Sequence, residues 1–211
     1  MIRWQESPWV VLDTETTGLD PLTARVWEVA LLHVGGRLDG HQMRSIIRPG
    51  QDIPADVVRL CRLDERDLHR IQVASDFGSS HVEWLTWPVE GRILVGYNIL
   101  AYDWPLLQAE CDRVGKAAPT PLAIIDPLIL ARQFLPQLRS RRLREVARHL
   151  SVPAGQAHRA LDDCWMTAGV LLRLASYLPA DLSELVEMQA QWREDQEADR
   201  QGWQPATRRA V

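Results

Sequence analysis

Two rhythms alternate along this chain: short unbroken apolar runs, and longer stretches in which apolar residues recur at helical spacing. Trp9 to Asp13 (WVVLD) is a β-rich apolar run closed by the polar segment TETTG, the pattern of a buried strand that opens into a loop. Val26 to Val34 and Gln42 to Ile47 read as two further strands, with Gly35-Gly36 and Asp39-Gly40 supplying turn residues for an antiparallel connection. Arg92 to Gly96 (RILVG) reads as a fourth strand that delivers Asn98 and Asp103 beyond its end, and Ala123 to Ile125 as a fifth. Helical spacing runs from Pro54 to about Leu68, over residues 76 to 87, and from Asp103 to Arg113 with Gly115 as its stop. Asp126-Pro127 opens another helix, with an acid at the N-cap and proline in the first turn. Helices over Leu143 to Leu150 and His158 to Tyr177 complete the pattern. Three strands joined by short turns, then strands alternating with helices, predict an α/β fold on a mixed five-stranded sheet flanked by helices. In such sheets sites form beyond the carboxyl ends of central strands, where both D-T-E and Asp103 are expected.

Beyond Pro179 the chain turns polar (QWREDQEADRQGWQ), which predicts an amphipathic helix fraying into a tail. The expected division is a main domain over residues 1–178 and a helical, polar segment over 179–211. Leu182, Leu185, Met188 and Trp192 recur at near-helical spacing in that segment, leaving room for a partner surface or a contact with a second copy. The 211 residues, 46% hydrophobic and 25% charged, are enough for one sizeable core. No apolar stretch approaches the roughly 20 residues that cross a bilayer, and the N-terminus lacks a secretion-signal layout, so a cytoplasmic protein with no membrane partner is expected. Cys61, Cys111 and Cys164 are odd in number and lack C-x-x-C spacing, which predicts buried thiols. A formal charge of -4 excludes a broadly basic coat for duplex DNA. Locally the balance reverses: Arg139, Arg141, Arg142, Arg144 and Arg148 make a basic helix face, which fits phosphate binding and a solvated surface equally.

The acids carry the candidate chemistry. Asp13 and Glu15 are one residue apart, so in an extended segment they point the same way; the pair suits a shared metal and also suits solvated loop acids. Asp103 fits a ligand or a helix N-cap. Measured at about 100° per residue, Leu161, Cys164, Trp165, Ala168, Leu172 and Ala175 share an apolar face of the last strong helix. Arg159, Asp162, Met166 and Arg173 form a polar stripe expected to face solvent. Asp163 instead falls above Thr167, Val170 and Leu174 on a second buried side, where a carboxylate needs a cation, an arginine or backbone N–H groups. Carboxylates about 4 Å apart repel by roughly 4 kcal/mol at an effective dielectric near 20. Converging acids therefore call for hard divalent cations, Mg²⁺ or Mn²⁺ before Zn²⁺.

VVLDTETTGLD, GYNILAYDWPLL and HRALDDCWMTAGVL, in that order, resemble the three exonuclease motifs of the DnaQ-like DEDDh superfamily. IIDPLILARQFLP and the helix after it are similar to the segment that precedes the last motif. The likeness covers roughly residues 8 to 177 and implies a ribonuclease H-like fold and a 3′-to-5′ exonuclease using two divalent ions. It assigns Asp13, Glu15, Asp103 and Asp163 as metal ligands and His158 as general base; the H-x-x-x-x-D spacing selects Asp163 over Asp162, in agreement with the wheel. Two ions about 3.5 to 4 Å apart would activate a water and stabilise the leaving oxygen. On this reading Asp13 bridges, Glu15 and Asp163 serve the nucleophile side, Asp103 serves the other ion, and His158 accepts the water's proton near neutral pH. By the same likeness Thr16, Thr17, Gly18 and Leu19 hold the terminal nucleotide through backbone and hydroxyl groups, with Leu19 against its base. Asn98 matches a family Asn, one residue farther from the acid than in many members, and Trp104 beside Asp103 is a candidate pocket wall. Cys164, where Ala is frequent, and Trp104-Pro105 depart from common usage without removing a ligand. The expected substrate is the 3′ end of a single DNA strand. The alternatives are an RNA exonuclease and a non-catalytic polymerase accessory docked through residues 180 to 211; if docking is the job of that segment, deleting it abolishes association but spares cleavage.

Overall fold

A computed structural model describes residues 1–155 and 159–202. His158 lies outside the described residues. The five expected strands form one sheet: β1 (Trp9–Thr16), β2 (Val26–Val34), β3 (Gln42–Ile46), β4 (Ile93–Val95) and β5 (Ala123–Ile125), in the order β3-β2-β1-β4-β5. β2 runs antiparallel to β1 and β3, whereas β4 and β5 run parallel to β1. Both faces of the sheet are covered along β1, β2 and β4, which is why these strands read as apolar runs, whereas edge strand β3 stays partly exposed. Trp9, Val11, Ala30 and Leu32 point into one core layer; Val10, Leu12, Val29 and Leu31 point into the other.

The first layer is closed by α5 (Pro127–Phe134), α6 (Leu143–His149), α7 (Ala160–Leu174) and α8 (Leu182–Gly202), the second by α3 (Ser79–Val89) and α4 (Asp103–Arg113). The single helix expected from Pro54 to Leu68 is two helices, α1 (Ala55–Leu60) and α2 (Glu65–Val73). Arg62 takes a left-handed φ of 52° and Leu63 N–H returns to the Val58 carbonyl, a helix-stop arrangement. Asp64 then caps α2 through the Asp67 N–H at 2.8 Å.

Three further expectations are corrected. Thr14 to Thr16 are strand rather than loop, because β1 leaves its pairing with β4 after Val11 but keeps its ladder with β2 as far as Thr16. On α7 the outer and inner positions differ from the wheel: Met166 is fully buried, while Trp165 is 46% and Leu172 55% exposed. Apolar residues surround most of that helix, so contact with the sheet and α6, rather than periodicity, decides which side is buried. The segment after Pro179 is a helix packed on the rest of the chain: Leu182 and Leu185 are buried, and Trp192 meets Phe134 edge-on at 5.3 Å between ring centroids. Its apolar stripe is thus largely used internally. Among the described residues no helix is long and apolar enough to cross a membrane.

Candidate metal centre

Because side chains alternate across a strand, Asp13 and Glu15 share the face of Trp9 and Val11, the face that α7 covers. Asp163 lies in the first turn of α7. One carboxylate oxygen from each of Asp13, Glu15 and Asp163 lies within 4.8 Å of the others. Burial raises the Asp13 pKa well above the carboxylate range, and Asp103, Asp163, Glu15 and Glu28 raise it further. Glu15 is pushed to about 8, by burial first; the hydrogen bond from Cys61 opposes the shift and Glu28, Asp163 and Asp103 add to it. An all-oxygen donor set whose acids resist ionisation side by side fits a hard divalent cation, which would relieve the repulsion it now carries.

Asp103 arrives from the other side of the sheet. Thr14 points away from Asp13 and Glu15, and both its N–H (3.0 Å) and its hydroxyl (2.6 Å) donate to Asp103 Oδ1. Burial raises Asp103 to about 6 against these hydrogen bonds, and its charge is the largest acidic influence on Asp13. So three acids converge tightly, and the fourth stands beside them with one oxygen already engaged.

The exonuclease family model RNase_T matches residues 10–171. The chain belongs to that family. It is 28% identical over 174 residues to the DNA polymerase III PolC-type protein of Oceanobacillus iheyensis, a match spanning 82% of this chain and 12% of that one. It is 27% identical over 177 residues to a DNA polymerase III subunit epsilon-like protein of Rhodobacter capsulatus, spanning 82% and 24%. The chain therefore matches only a small part of these relatives' length. Exonuclease X, solved in complex with 5′ overhanging duplex DNA, shares the fold with a TM-score of 0.61 at 21% identity, covering 86% of this chain and 99% of that one. E. coli exonuclease I, solved with a dT13 oligonucleotide, does so at 0.63 and 17%, covering 81% and 43%.

Around the acids of this exonuclease-family domain, the other expected site residues take varied places. Thr16 and Thr17 spend their hydroxyls inside the protein: Thr16 donates to the Gly18 carbonyl at 2.7 Å, and Thr17 accepts from Arg25 N–H at 2.9 Å and Gln51 at 2.6 Å. Their hydroxyls shape the loop that presents Leu19, which is 77% exposed. Tyr102 also donates to Gly18, at 2.8 Å, tying that loop to the start of α4. Asn98 has a left-handed φ of 68°, tolerable for Asn. Its N–H donates to Asp126 at 2.8 Å. Trp104 is a core residue at 8% exposure, with Leu106 and Leu107 in the same layer, and it also lines a pocket with Gln108, Asp112 and Pro119.

Several contributors escaped the sequence reading. Glu28 lies directly across from Glu15 on β2 and is held by both nitrogens of the Arg44 fork, at 2.7 and 2.8 Å. The thiol of buried Cys61 donates to Glu15 Oε2 at 3.3 Å, and burial together with Glu15 keeps it protonated. Asp126 does cap α5, but it also accepts from Asn98 and Leu100, while its own N–H donates to Gln189 of α8 at 2.7 Å. No periodicity in the sequence announces these partners, which depend on strand register and on where α8 docks.

Proposed function

We propose that this chain hydrolyses the terminal phosphodiester at the 3′ end of a single or frayed DNA strand, releasing nucleotides in the 3′-to-5′ direction as a proofreading or repair exonuclease does. The observation that carries the reading is the convergence of Asp13, Glu15 and Asp163, with Asp103 pressing on Asp13, in a chain of the exonuclease family. Two divalent cations, Mg²⁺ or Mn²⁺, would be held by Asp13, Glu15 and Asp163, with Asp103 completing the set. Bound there, they would supply charge neutralisation for the scissile phosphate and acidify a water to serve as nucleophile. Thr14 fixes the orientation of Asp103, Cys61 that of Glu15, and Arg44 offsets part of the charge of Glu28. Leu19, exposed on its tied loop, meets the terminal base, and the Asn98 side chain contacts the nucleotide. His158 is assigned as general base on the H-x-x-x-x-D spacing.

Residues 1–178 are taken as the exonuclease domain and 179–211 as its appended segment. The polymerase III relatives support a cytoplasmic setting beside a replicative polymerase, with contact made elsewhere than the Leu182–Leu185 side of α8, which is buried. The test is a nuclease assay of purified protein with Mg²⁺, Mn²⁺ or chelator, on matched 3′-labelled DNA and RNA, with open and 3′-blocked ends. Metal-dependent loss of the label from open DNA ends is expected. RNA-only cleavage would replace the substrate, and metal-independent or absent cleavage would overturn the reading.

A further inference from the structure

Several arginines in this chain are matched to acids. Arg25 and Arg113 meet Glu110, Arg44 meets Glu28, Arg48 meets Asp76, Arg159 meets Asp67 and Arg193 meets Glu197, all between 2.7 and 3.2 Å. The densest run of arginines lies between residues 139 and 148. Arg139, Arg142, Arg144 and Arg148 are exposed, and none has a carboxylate partner among the described residues, although the exposed Glu145 lies in the same segment. Arg141 turns inward instead, donating to the carbonyls of Leu135 and Pro136 at 3.1 and 2.7 Å and anchoring the segment. Val146 and Ala147, fully buried, hold α6 in the core layer shared with α7.

The placement of this basic face matters as much as its charge. Arg144 donates to the Gly155 carbonyl at 3.3 Å, and Gly155 lies so close to Asp162 that a Cβ there would stand 2.6 Å from its Cγ. Asp162 and Asp163 are adjacent in the first turn of α7. Arg144, on the helix that also carries Arg148, thus lies beside the end of α7 that contributes to the metal centre. A strand whose last phosphate enters an acidic site is repelled by the rest of that site, and cations beside the entrance offset the repulsion for the phosphates that follow. Guanidinium forks suit phosphate oxygens in particular.

We infer that Arg139, Arg142, Arg144 and Arg148 form a track for the phosphodiester backbone of the single strand whose 3′ end occupies the Asp13–Glu15–Asp163 site. The inference rests on the proposed exonuclease reading for which end of the strand is held, but not for its own test. α6 has seven residues and is therefore about 10 Å long, so the track spans a few phosphates behind the terminal one and contributes nothing to a mononucleotide.

The experiment compares wild type with R139Q/R142Q/R148Q, which leaves the Arg144–Gly155 contact in place, after thermal melts establish that both fold. Binding of a fluorescein-labelled twenty-nucleotide single strand is read by anisotropy in chelator, at salt from 50 to 200 mM. Three lost phosphate contacts at about 0.7 each should lower the log–log salt slope by about 2, so that wild type loses roughly 20-fold more affinity than the variant over that range. Hydrolysis of the nitrophenyl ester of thymidine 5′-monophosphate, which fills only the metal site, should be the same in both with Mn²⁺. An unchanged salt slope overturns the track, and so does a parallel loss of ester hydrolysis, which would mark a distorted fold. Wild type that binds with the steep slope yet cleaves neither substrate would defeat the exonuclease reading while leaving the track standing.

Discussion

Titrating the metal-free chain with Mg²⁺ between pH 6 and pH 8 isolates the electrostatic claim on which the site depends. Glu15 is held near pH 8 by burial and by its acidic neighbours, and Asp13 is raised as well. A group with that pKa is about 90% protonated at pH 7, and a bound cation requires its carboxylate, so binding must expel the proton. For this one proton the apparent affinity should rise roughly 50-fold from pH 6 to pH 8, each full unit of slope being about 1.4 kcal/mol, and it should level off above pH 8. Asp13 steepens the rise. Calorimetry in buffers of different ionisation enthalpy reads the same quantity directly: about 0.9 proton released at pH 7 from Glu15, plus the share of Asp13. The sign carries over to stability. Since the folded pKa of Glu15 lies above its unfolded value, the folded chain binds the extra proton, and metal-free stability falls as pH rises from about 4.5 to about 8. Saturating Mg²⁺ should remove that fall in thermal melts. Buffer-independent heats together with flat affinity from pH 6 to pH 8 would refute the reasoning.

Other substitutions probe single contacts. Asp163→Asn should lower metal-dependent turnover by about a thousandfold, whereas Asp162→Asn should leave most of it; equal losses in a steady-state assay would contradict the placement of Asp163 on the inner side of α7. Thr14→Val removes the hydroxyl that donates to Asp103, so unfolding free energy should drop by about 1–2 kcal/mol in urea titrations, and kcat should fall more than KM changes. Arg44→Leu strips the partner from a Glu28 that is 1% exposed, and chemical denaturation should show a loss of about 3 kcal/mol, the low end for a broken buried pair because Arg44 itself is 41% exposed. Gln189→Leu deletes the acceptor for Asp126 N–H and the donor to the Ile124 carbonyl, which should cost about 2–4 kcal/mol of stability. Ending the chain before Leu182 should for the same reason impair cleavage, not merely association.

What could be read from the chain, and what could not, divides along the range of the interactions. WVVLD reads as a strand because both sheet faces are buried, but the strand's continuation through D-T-E depends on β2, thirteen residues and more away in sequence. Asp163 falls on the inner side of α7 because Thr167, Val170 and Leu174 are all buried, as the wheel has it. The same wheel misplaces Met166 and Trp165, since on a helix with apolar residues nearly all round only the sheet settles which side is hidden. Arg44 and Glu28 become partners only once β2 and β3 are in register, with Ala30 opposite Arg44 and Glu28 opposite Ile46. Gln189 is a polar residue of the segment after Pro179, and its exposure of only 4% reflects the landing of α8 on the β5–α5 corner.

Five acids crowd one corner of the sheet, and the way each is compensated separates a cation site from a mere excess of charge. Glu28 has the Arg44 fork, and Asp103 has the N–H and hydroxyl of Thr14. Asp13 and Glu15 have no ion pair among the described residues. Arg159, which N-caps the helix of Asp163, is in reach of that corner, yet it pairs with Asp67 at 2.9 Å. Structural ion pairs place arginines against buried acids wherever the backbone permits, because an uncompensated buried charge costs several kcal/mol, roughly 3–5 by mutational measure. Here Glu28 is matched to an arginine, whereas Asp103 and the two innermost strand acids carry raised pKa values instead. That division keeps permanent positive charge out of the place where a dissociable cation and a phosphate would have to meet, and it is the arrangement a metal-dependent phosphodiesterase requires.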